Sequence, residues 1–270
     1  MTEKICAVDL GMPTLLEAAG AEESAVLCAE LGLQFVELNM NLPEYSDPAH
    51  MDREKLCALR EKYGVYFTLH LDERLDGCDF NPLVRNAYQE TLRRALELAQ
   101  EAEMPIVNLH LNHGVYFTLP GKKTYLYAER REEYLQHIDE MRRIGEEGAD
   151  ENIALCVENT DGFLAQEKKA LDLLMKSKRW GLTLDVGHMH SAGYVDDDVY
   201  IVHSGKLRHM HLHDALLMQA GQCHLPLGEG NLDWRDSLRT AETRHCRAVI
   251  EVKTLSALRD SVKTLREAGK

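Results

Sequence analysis

A regular alternation of short β-type runs with longer helical patterns extends along the chain of 270 residues and constrains its fold more than any other feature. Eight runs have the apolar and β-branched character of strands. Their carboxyl ends lie between 26 and 48 residues apart, and a strand, a crossover helix and their loops need roughly 30 residues. We therefore predict eight strands, each followed by a helix: Ile5–Asp9, Leu33–Asn39, Val65–His70, Pro105–His110, Ile153–Glu158, Gly181–Asp185, Lys206–His211 and Ala248–Glu251.

Helical periodicity fills most of the segments between these strands. Asp52 is a typical N-cap residue and Gly64 a typical helix terminator, with apolar residues on one stripe between them. Similar patterns predict helices at Leu83–Glu103, Glu129–Glu147, within Val195–Gly205 and from Leu255 onward. Eight strand–helix units favour a (β/α)8 TIM barrel over an open doubly wound sheet. Because no linker divides the chain, we expect one domain over residues 1–270.

The charge of the chain bears on its partners. Lys and Arg total 31 against 45 Asp and Glu, a formal net charge of −14. Such a surface repels phosphate backbones and anionic lipids, so we expect neither nucleic acid nor a membrane as partner. No apolar stretch approaches the roughly 18 residues of a membrane-spanning helix, and the first residues lack the apolar segment of a secretory signal.

The cysteines bear on the compartment. There are seven, an odd number, and they are scattered without any CxxC spacing. Free or buried thiols in a reducing compartment fit this pattern better than disulfides or a zinc knuckle. We therefore expect a cytoplasmic protein.

Polar residues recur at one parity near the ends of the predicted strands. Side chains alternate faces along a strand, so the apolar Leu155 and Val157 share one face and Glu158 lies on the other. If the apolar faces meet the outer helices, the polar ones point into the barrel and gather at its carboxyl-terminal mouth, where barrel enzymes have their active sites. The inward set is Glu37, Asn39, Thr68, His70, Asn108, His110, Glu158, Thr183, Asp185, His209, His211, His213 and Glu251.

Three carboxylates of this set, Glu158, Asp185 and Glu251, would repel one another strongly at a barrel mouth unless a cation or shifted pKa values relieve them. A divalent metal held by these carboxylates and the imidazole of His211 is the simplest solution. Oxygen-rich ligation with one nitrogen suits Mn²⁺, Mg²⁺ or Co²⁺, and Zn²⁺ is compatible. The sequence therefore predicts a divalent-metal cofactor.

At these residues the chain resembles the xylose isomerase-like superfamily of barrels, which includes sugar isomerases and epimerases, inosose dehydratases and endonuclease IV. The motifs that carry the resemblance are Val157-Glu158-Asn159, Leu184-Asp185-Val186-Gly187-His188, His211-Leu212-His213-Asp214, His224-Leu225-Pro226-Leu227-Gly228-Glu229-Gly230 and Ile250-Glu251. Similarity to the ketose 3-epimerase and hydroxypyruvate isomerase type implies Glu158, Asp185, His211 and Glu251 as metal ligands. It also implies that His188 contacts a substrate hydroxyl.

The expected activity is a sugar, sugar-phosphate or polyol isomerase or epimerase that transfers a proton next to a carbonyl through a metal-stabilised enediolate. Glu158 and Glu251 are the expected general base and acid. Epimerisation needs proton donors on both faces of the substrate and 1,2-isomerisation only one base, and the sequence does not choose between them. Further candidates for substrate contact are His70, His110, His224 and Glu37.

Two alternative activities stay open: a polyol dehydratase and an endonuclease IV-like zinc phosphodiesterase. The endonuclease family uses extra histidines, and His70, His110 and His224 are plausible counterparts here. That family, however, pairs the last histidine with an aspartate two residues earlier, where this chain has Gln222. Relatives are often dimers or tetramers, so a homo-oligomer is compatible with the resemblance.

Overall fold

The computed structural model describes residues 5–219 and 221–268, and within them eight parallel strands close a barrel. Each strand pairs with the next along the chain, and the first closes the barrel by pairing with the last. The prediction of a (β/α)8 TIM barrel is confirmed. The barrel strands are β1 (Leu10–Pro13), β2 (Phe35–Asn39), β3 (Tyr66–His70), β4 (Ile106–His110), β5 (Ala154–Glu158), β6 (Trp180–Asp185), β7 (Leu207–Leu212) and β8 (Arg247–Ile250).

Helices follow every barrel strand. Two lie between β4 and β5, and two between β6 and β7. The helices are α1 (Ala21–Glu30), α2 (Arg53–Tyr63), α3 (Pro82–Glu101), α4 (Leu126–Glu129), α5 (Arg131–Gly148), α6 (Ala165–Leu174), α7 (Val186–Ser191), α8 (Asp197–Val202), α9 (Trp234–Arg244) and α10 (Leu255–Ala268), with 3₁₀ turns at Pro43–Tyr45, Pro48–His50 and Ser204–Lys206. Among the described helices, none combines the length and the apolarity that crossing a bilayer requires.

The ends of α2 illustrate how local sequence sets the helix boundaries. The side chain of Asp52 accepts a hydrogen bond from the backbone N–H of Lys55 at 2.9 Å, as expected of an N-cap. Gly64 adopts the left-handed conformation with φ of 69° and ends the helix. Both ends were predicted from the sequence.

The first predicted strand is wrong in position. Residues 5–8 form bends instead of the predicted strand Ile5–Asp9, and the barrel strand is Leu10–Pro13. Within this strand Gly11 pairs with Phe35, and a Cβ at Gly11 would overlap the Phe35 ring. A strand containing Gly and ending in Pro has low intrinsic β propensity. Packing inside the barrel therefore outweighs local preference here.

A two-stranded antiparallel hairpin extends from the loop after β4. Its strands are Tyr116–Leu119 and Lys122–Tyr125, joined at Gly121 with φ of 81°. We call this feature the loop hairpin. The sequence patterns did not predict it, and its first strand is exposed at every residue.

Candidate metal centre

Four of the predicted side chains meet at the carboxyl-terminal mouth of the barrel. We call Glu158, Asp185, His211 and Glu251 the central cluster. Glu158 and Asp185 are the last residues of β5 and β6, His211 lies near the end of β7, and Glu251 follows β8. One ligand atom from each lies within 4.8 Å of the others. The inward parity of the four strand ends therefore produces one site.

His211 is at the middle of the central cluster. Its Nδ1 atom lies 3.0 Å from Oε1 of Glu158, 2.9 Å from Oε2 of Glu251 and 3.9 Å from Oδ2 of Asp185. Its Nε2 atom faces away from the cluster, 2.9 Å from Oε1 of Glu37. The charge of Glu37 favours a hydrogen on Nε2, although the contact is not an aligned hydrogen bond. That tautomer leaves the Nδ1 lone pair free for a cation, the usual arrangement of a metal-binding histidine with a nearby carboxylate.

Glu37 lies below the cluster, away from the mouth. Its carboxylate accepts a hydrogen bond from the hydroxyl of Thr68 at 3.1 Å and lies 3.0 Å from Nε2 of His209. With both oxygens facing protein groups and 2% of the residue exposed, Glu37 belongs to a buried polar network. The structure thus places it behind His211, whereas the sequence led us to expect contact with substrate.

Asp185 is held from several sides. Its Oδ1 accepts the backbone N–H of His188 at 2.7 Å, which caps α7, and its backbone N–H donates to the side chain of Asn159 at 2.9 Å. The buried His213 places Nε2 3.0 Å and 3.1 Å from the two carboxylate oxygens. His213 and Asn159 were not among the predicted site residues, although both lie in motifs that the sequence displays.

The donor set fits a divalent cation. Three carboxylates and one imidazole offer hard oxygen and borderline nitrogen ligands. Oε2 of Glu251 is buried and accepts no aligned hydrogen bond from the described residues, although His211 is close to it. Its other oxygen, Oε1, accepts a hydrogen bond from Nζ of Lys253 at 2.8 Å. A buried carboxylate oxygen without a donor is expected at the position of a metal ligand.

Without a cation, histidines compensate the buried carboxylates. Burial raises the pKa of Glu158, but the facing charges of His211 and His110 lower it well below its usual value. Burial also raises the pKa of Glu251, but the charge of His211 lowers it well below its usual value. Burial lowers the pKa of His211, yet the facing carboxylates raise it well above its usual value. The site therefore favours ionised carboxylates and has a strong demand for positive charge.

A second cluster adjoins the first. It consists of His70, His110 and Glu158, whose ligand atoms again lie within 4.8 Å of one another. Nε2 of each histidine lies 3.3 Å from Oε2 of Glu158, which also accepts a hydrogen bond from the amide of Asn108. Nδ1 of His70 faces the carbonyl oxygen of Leu71 at 2.8 Å. Burial lowers the pKa of His70, but Glu158 raises it to about 9.

Two partly exposed histidines form the rim of the site. Their Nε2 atoms, in His188 and His224, lie 3.2 Å apart. Burial lowers the pKa of His188, but the charge of Asp185 raises it to about 10. Burial also lowers the pKa of His224, in this case to about 4. Both predicted residues therefore lie beside the central cluster, where solvent reaches them.

Fold and site together define a class of protein: a (β/α)8 barrel with carboxylate and imidazole groups at the carboxyl-terminal ends of its strands. In barrel enzymes the active site lies at this end of the barrel. The chain belongs to the xylose isomerase-like TIM barrel family, whose model matches residues 25–268. It is similar to an uncharacterized protein of Methanocaldococcus jannaschii. The two are 27% identical over 217 residues, which is 77% of this chain and 71% of that protein.

Solved structures share the fold over nearly its whole length. A D-tagatose 3-epimerase-like protein superposes with a TM-score of 0.75 at 23% identity, covering 96% of each chain. The IOLI protein, whose crystal structure contains a zinc atom, superposes with a TM-score of 0.72 at 14% identity, covering 97% of this chain and 96% of that one. At these identities the likeness shows the fold.

Proposed function

We propose that this protein is a divalent-metal-dependent sugar isomerase or epimerase that transfers a proton at the carbon next to a carbonyl group. The observation that carries the proposal is the central cluster, in which four strand ends supply three carboxylates and one imidazole within 4.8 Å. Membership of the xylose isomerase-like family supports it. The zinc atom of the IOLI structure supports a metal, and the D-tagatose 3-epimerase-like neighbour supports a polyhydroxy carbonyl substrate.

Glu158, Asp185, His211 and Glu251 would hold the cation. When bound, a divalent cation acts as a Lewis acid toward a carbonyl oxygen and its neighbouring hydroxyl. Mn²⁺, Mg²⁺ and Co²⁺ suit three oxygens and one nitrogen best, and Zn²⁺ is compatible.

Glu158 and Glu251 are the proposed proton-transfer residues. They come from β5 and from the end of β8, which are not adjacent in the barrel. An ionised carboxylate can accept a proton from carbon, and the same group once protonated can return one. One glutamate on each side of a bound sugar can remove a proton and return another, as epimerisation requires. His188 at the rim and His110 of the second cluster are then in reach of the substrate hydroxyls.

Solvent exchange tests this proposal. A panel of ketoses is incubated in D₂O with the protein and Co²⁺ or Mn²⁺, and NMR detects deuterium at carbon. We expect exchange into at least one sugar, a reduction by a factor of about 10² or more in Glu158→Gln and Glu251→Gln, and no change in the exposed control Glu147→Gln. Exchange that survives replacement of both site glutamates, or that needs no metal, would contradict the proposal.

The second cluster favours one alternative, a phosphodiesterase that uses more than one metal. Phosphoester hydrolysis commonly employs two cations about 4 Å apart, and Glu158 is shared by both clusters. The net charge of −14 opposes binding to a nucleic acid. Elemental analysis and cleavage of an abasic DNA duplex separate the two candidates. Cleavage without exchange into any sugar would favour the phosphodiesterase.

A polyol dehydratase has the same proton abstraction in its first step. It differs in losing water afterwards, so the product gains a new unsaturated or deoxy carbon. NMR of the same incubations distinguishes it, because loss of water produces the signal of a deoxy or unsaturated carbon, whereas an isomerase or epimerase returns a sugar with all its oxygens.

A further inference from the structure

His224 has a backbone conformation that side-chain-bearing residues seldom adopt. Its φ is 58°, in the left-handed region. Such conformations persist where surrounding contacts enforce them, and they concentrate at functional sites. The contacts of His224 reach the ends of three barrel strands, and they differ between its backbone and its ring.

We propose that His224 is a positioning residue with two separable actions: its backbone N–H sets the tautomer of His213, which orients Asp185, and its ring holds His188. The inference rests on the proposed function, in which Asp185 is a metal ligand and His188 contacts substrate. It replaces direct substrate binding, the role that the sequence suggested for His224.

The backbone action follows from hydrogen-bond polarity. The backbone N–H of His224 donates to Nδ1 of His213 at 2.8 Å. Nδ1 is therefore an acceptor, and the ring hydrogen resides on Nε2. Nε2 then presents its N–H to Asp185, whose two oxygens lie 3.0 Å and 3.1 Å away. A ligand carboxylate oriented in this way is the common outer-sphere arrangement of metal sites.

The His213 ring has little freedom to choose another orientation. It is fully buried and lies over the backbone of Gly187, where any Cβ would overlap the ring. On its other side it faces the ring of His224, with centroids 4.2 Å apart. Nδ1 of His213 meets two groups, the N–H of His224 at 2.8 Å and the carbonyl oxygen of Asp214 at 3.2 Å. Only an Nδ1 without a hydrogen can accept the shorter bond, so the N–H of His224 selects the tautomer.

The side-chain action uses the opposite end of the His224 ring. Nδ1 of His224 lies 3.1 Å from the carbonyl oxygen of Glu251 and so carries the hydrogen. Nε2 is then free to accept the N–H of Nε2 of His188, 3.2 Å away. Nδ1 of His188 points back toward Oδ2 of Asp185 at 3.7 Å. The His224 ring thus fixes the orientation of the His188 ring at the rim of the site.

Two substitutions separate these actions. His224→Gly and His224→Ala both remove the ring, but only glycine tolerates a φ of 58° without strain. In His224→Gly we expect the backbone N–H to keep its hydrogen bond to Nδ1 of His213. In His224→Ala we expect the backbone to leave the left-handed conformation, which moves the N–H away from Nδ1. His245 supplies a matched control pair, because it has a φ of 55° at the end of α9 and is exposed, away from the site.

Two measurements follow: the Co²⁺ dissociation constant by chelator competition, and the ¹⁵N NMR tautomer signals of His213 and His188. We expect His224→Ala to weaken Co²⁺ binding by about tenfold or more and to change the His213 signal. His224→Gly should keep the Co²⁺ dissociation constant within about threefold of the parent value and leave the His213 signal unchanged. The His188 signal should change in both variants. The His245 pair should leave every readout unchanged.

The proposal is overturned if glycine and alanine weaken Co²⁺ binding equally, or if the His213 tautomer is the same in all variants. Thermal unfolding of each variant checks that it is folded. If the parent protein binds no Co²⁺, the proposed metal function fails, while the NMR signals of His213 and His188 still decide the positioning role.

Discussion

Single hydrogens on buried imidazoles decide which atoms of the site can bind a cation. In His211, the charge of Glu37 beside Nε2 favours a hydrogen on that atom, which leaves Nδ1 available to the central cluster. In His213 the hydrogen also lies on Nε2, but it is directed at Asp185. Carboxylates and backbone groups outside the cluster therefore control the donors inside it.

Replacing Glu37 tests this control. Glu37→Gln keeps the size of the side chain but removes the charge that faces His211, so the preference for a bare Nδ1 weakens. We expect the Co²⁺ dissociation constant to rise by about tenfold to a hundredfold, measured by chelator competition. The exposed Glu44→Gln is the control. Unchanged Co²⁺ binding in Glu37→Gln would contradict this account of His211.

At the level of residues, strand parity predicted the central cluster well. Alternation alone identifies the inward faces of β5, β6 and β7, and hence Glu158, Asp185 and His211. It does not identify depth along the strand. Glu37 was therefore expected at the mouth, whereas it lies beneath His211. Outer partners such as Asn159 were missed, because their role depends on contacts between strands.

Among the elements, the loop after β4 is tied to α6 by an ion pair between the partly exposed His113 and the buried Glu167. Nδ1 of His113 lies 2.7 Å from Oε1 of Glu167, and Oε2 of Glu167 accepts the backbone N–H of Leu164 at 2.8 Å. Glu167 therefore has two roles: it caps α6, and it anchors the base of the loop hairpin. The hydrogen bond to Glu167 raises the pKa of His113.

This pair makes stability depend on pH in a defined direction. A histidine whose folded pKa is raised contributes stability below its unfolded pKa of about 6.5 and loses it as pH rises through the folded value. The loss of unfolding free energy in His113→Gln should therefore be larger at about pH 6 than at about pH 9. Urea unfolding in chelator measures it, with the exposed His50→Gln as control. An equal loss at both pH values would contradict the ion pair.

At the level of elements, helices were predicted better than the first strand and the loop hairpin. Caps such as Asp52 and Gly64 act locally, so their residues carry the signal themselves. The position of β1 depends instead on the fit of Gly11 against Phe35 from another strand. Each strand of the loop hairpin has only 4 residues, the lower limit at which alternation indicates a strand and not an extended loop.

The molecule as a whole exposes an unusual apolar surface on the loop hairpin. Val115, Phe117 and Leu119 alternate along the chain and are 62%, 56% and 45% exposed. On the second strand, Lys122 lies across from Leu119 and Lys123 across from Thr118. Beside the hairpin is a cavity of about 510 Å³ lined by apolar and aromatic side chains, among them Phe80, Val84 and Tyr88, and by Arg74, Asp76 and Asp79. Hairpin and cavity both present apolar and aromatic side chains.

We therefore expect a second copy of the chain to cover this face, each hairpin lying against the cavity of the other in a twofold dimer. Light scattering coupled to size exclusion should give the mass of two chains. Phe117→Glu should give one, because it places a charge at the interface. Ile201→Glu, at an apolar residue of α8 that is more exposed than Phe117, should remain dimeric. A monomeric parent protein would exclude this interface.

The expectation of one domain over residues 1–270 stays a prediction.

The sequence by itself determined the repeating strand–helix unit, the barrel and the inward parity of the polar strand ends. These follow from the alternation of side chains and from helix caps, which act over a few residues. Only the tertiary structure decided which strand end lies at which depth, where β1 begins, and which hydrogen each of His211 and His213 carries. Those properties depend on groups that are distant in the chain and meet only when the barrel closes.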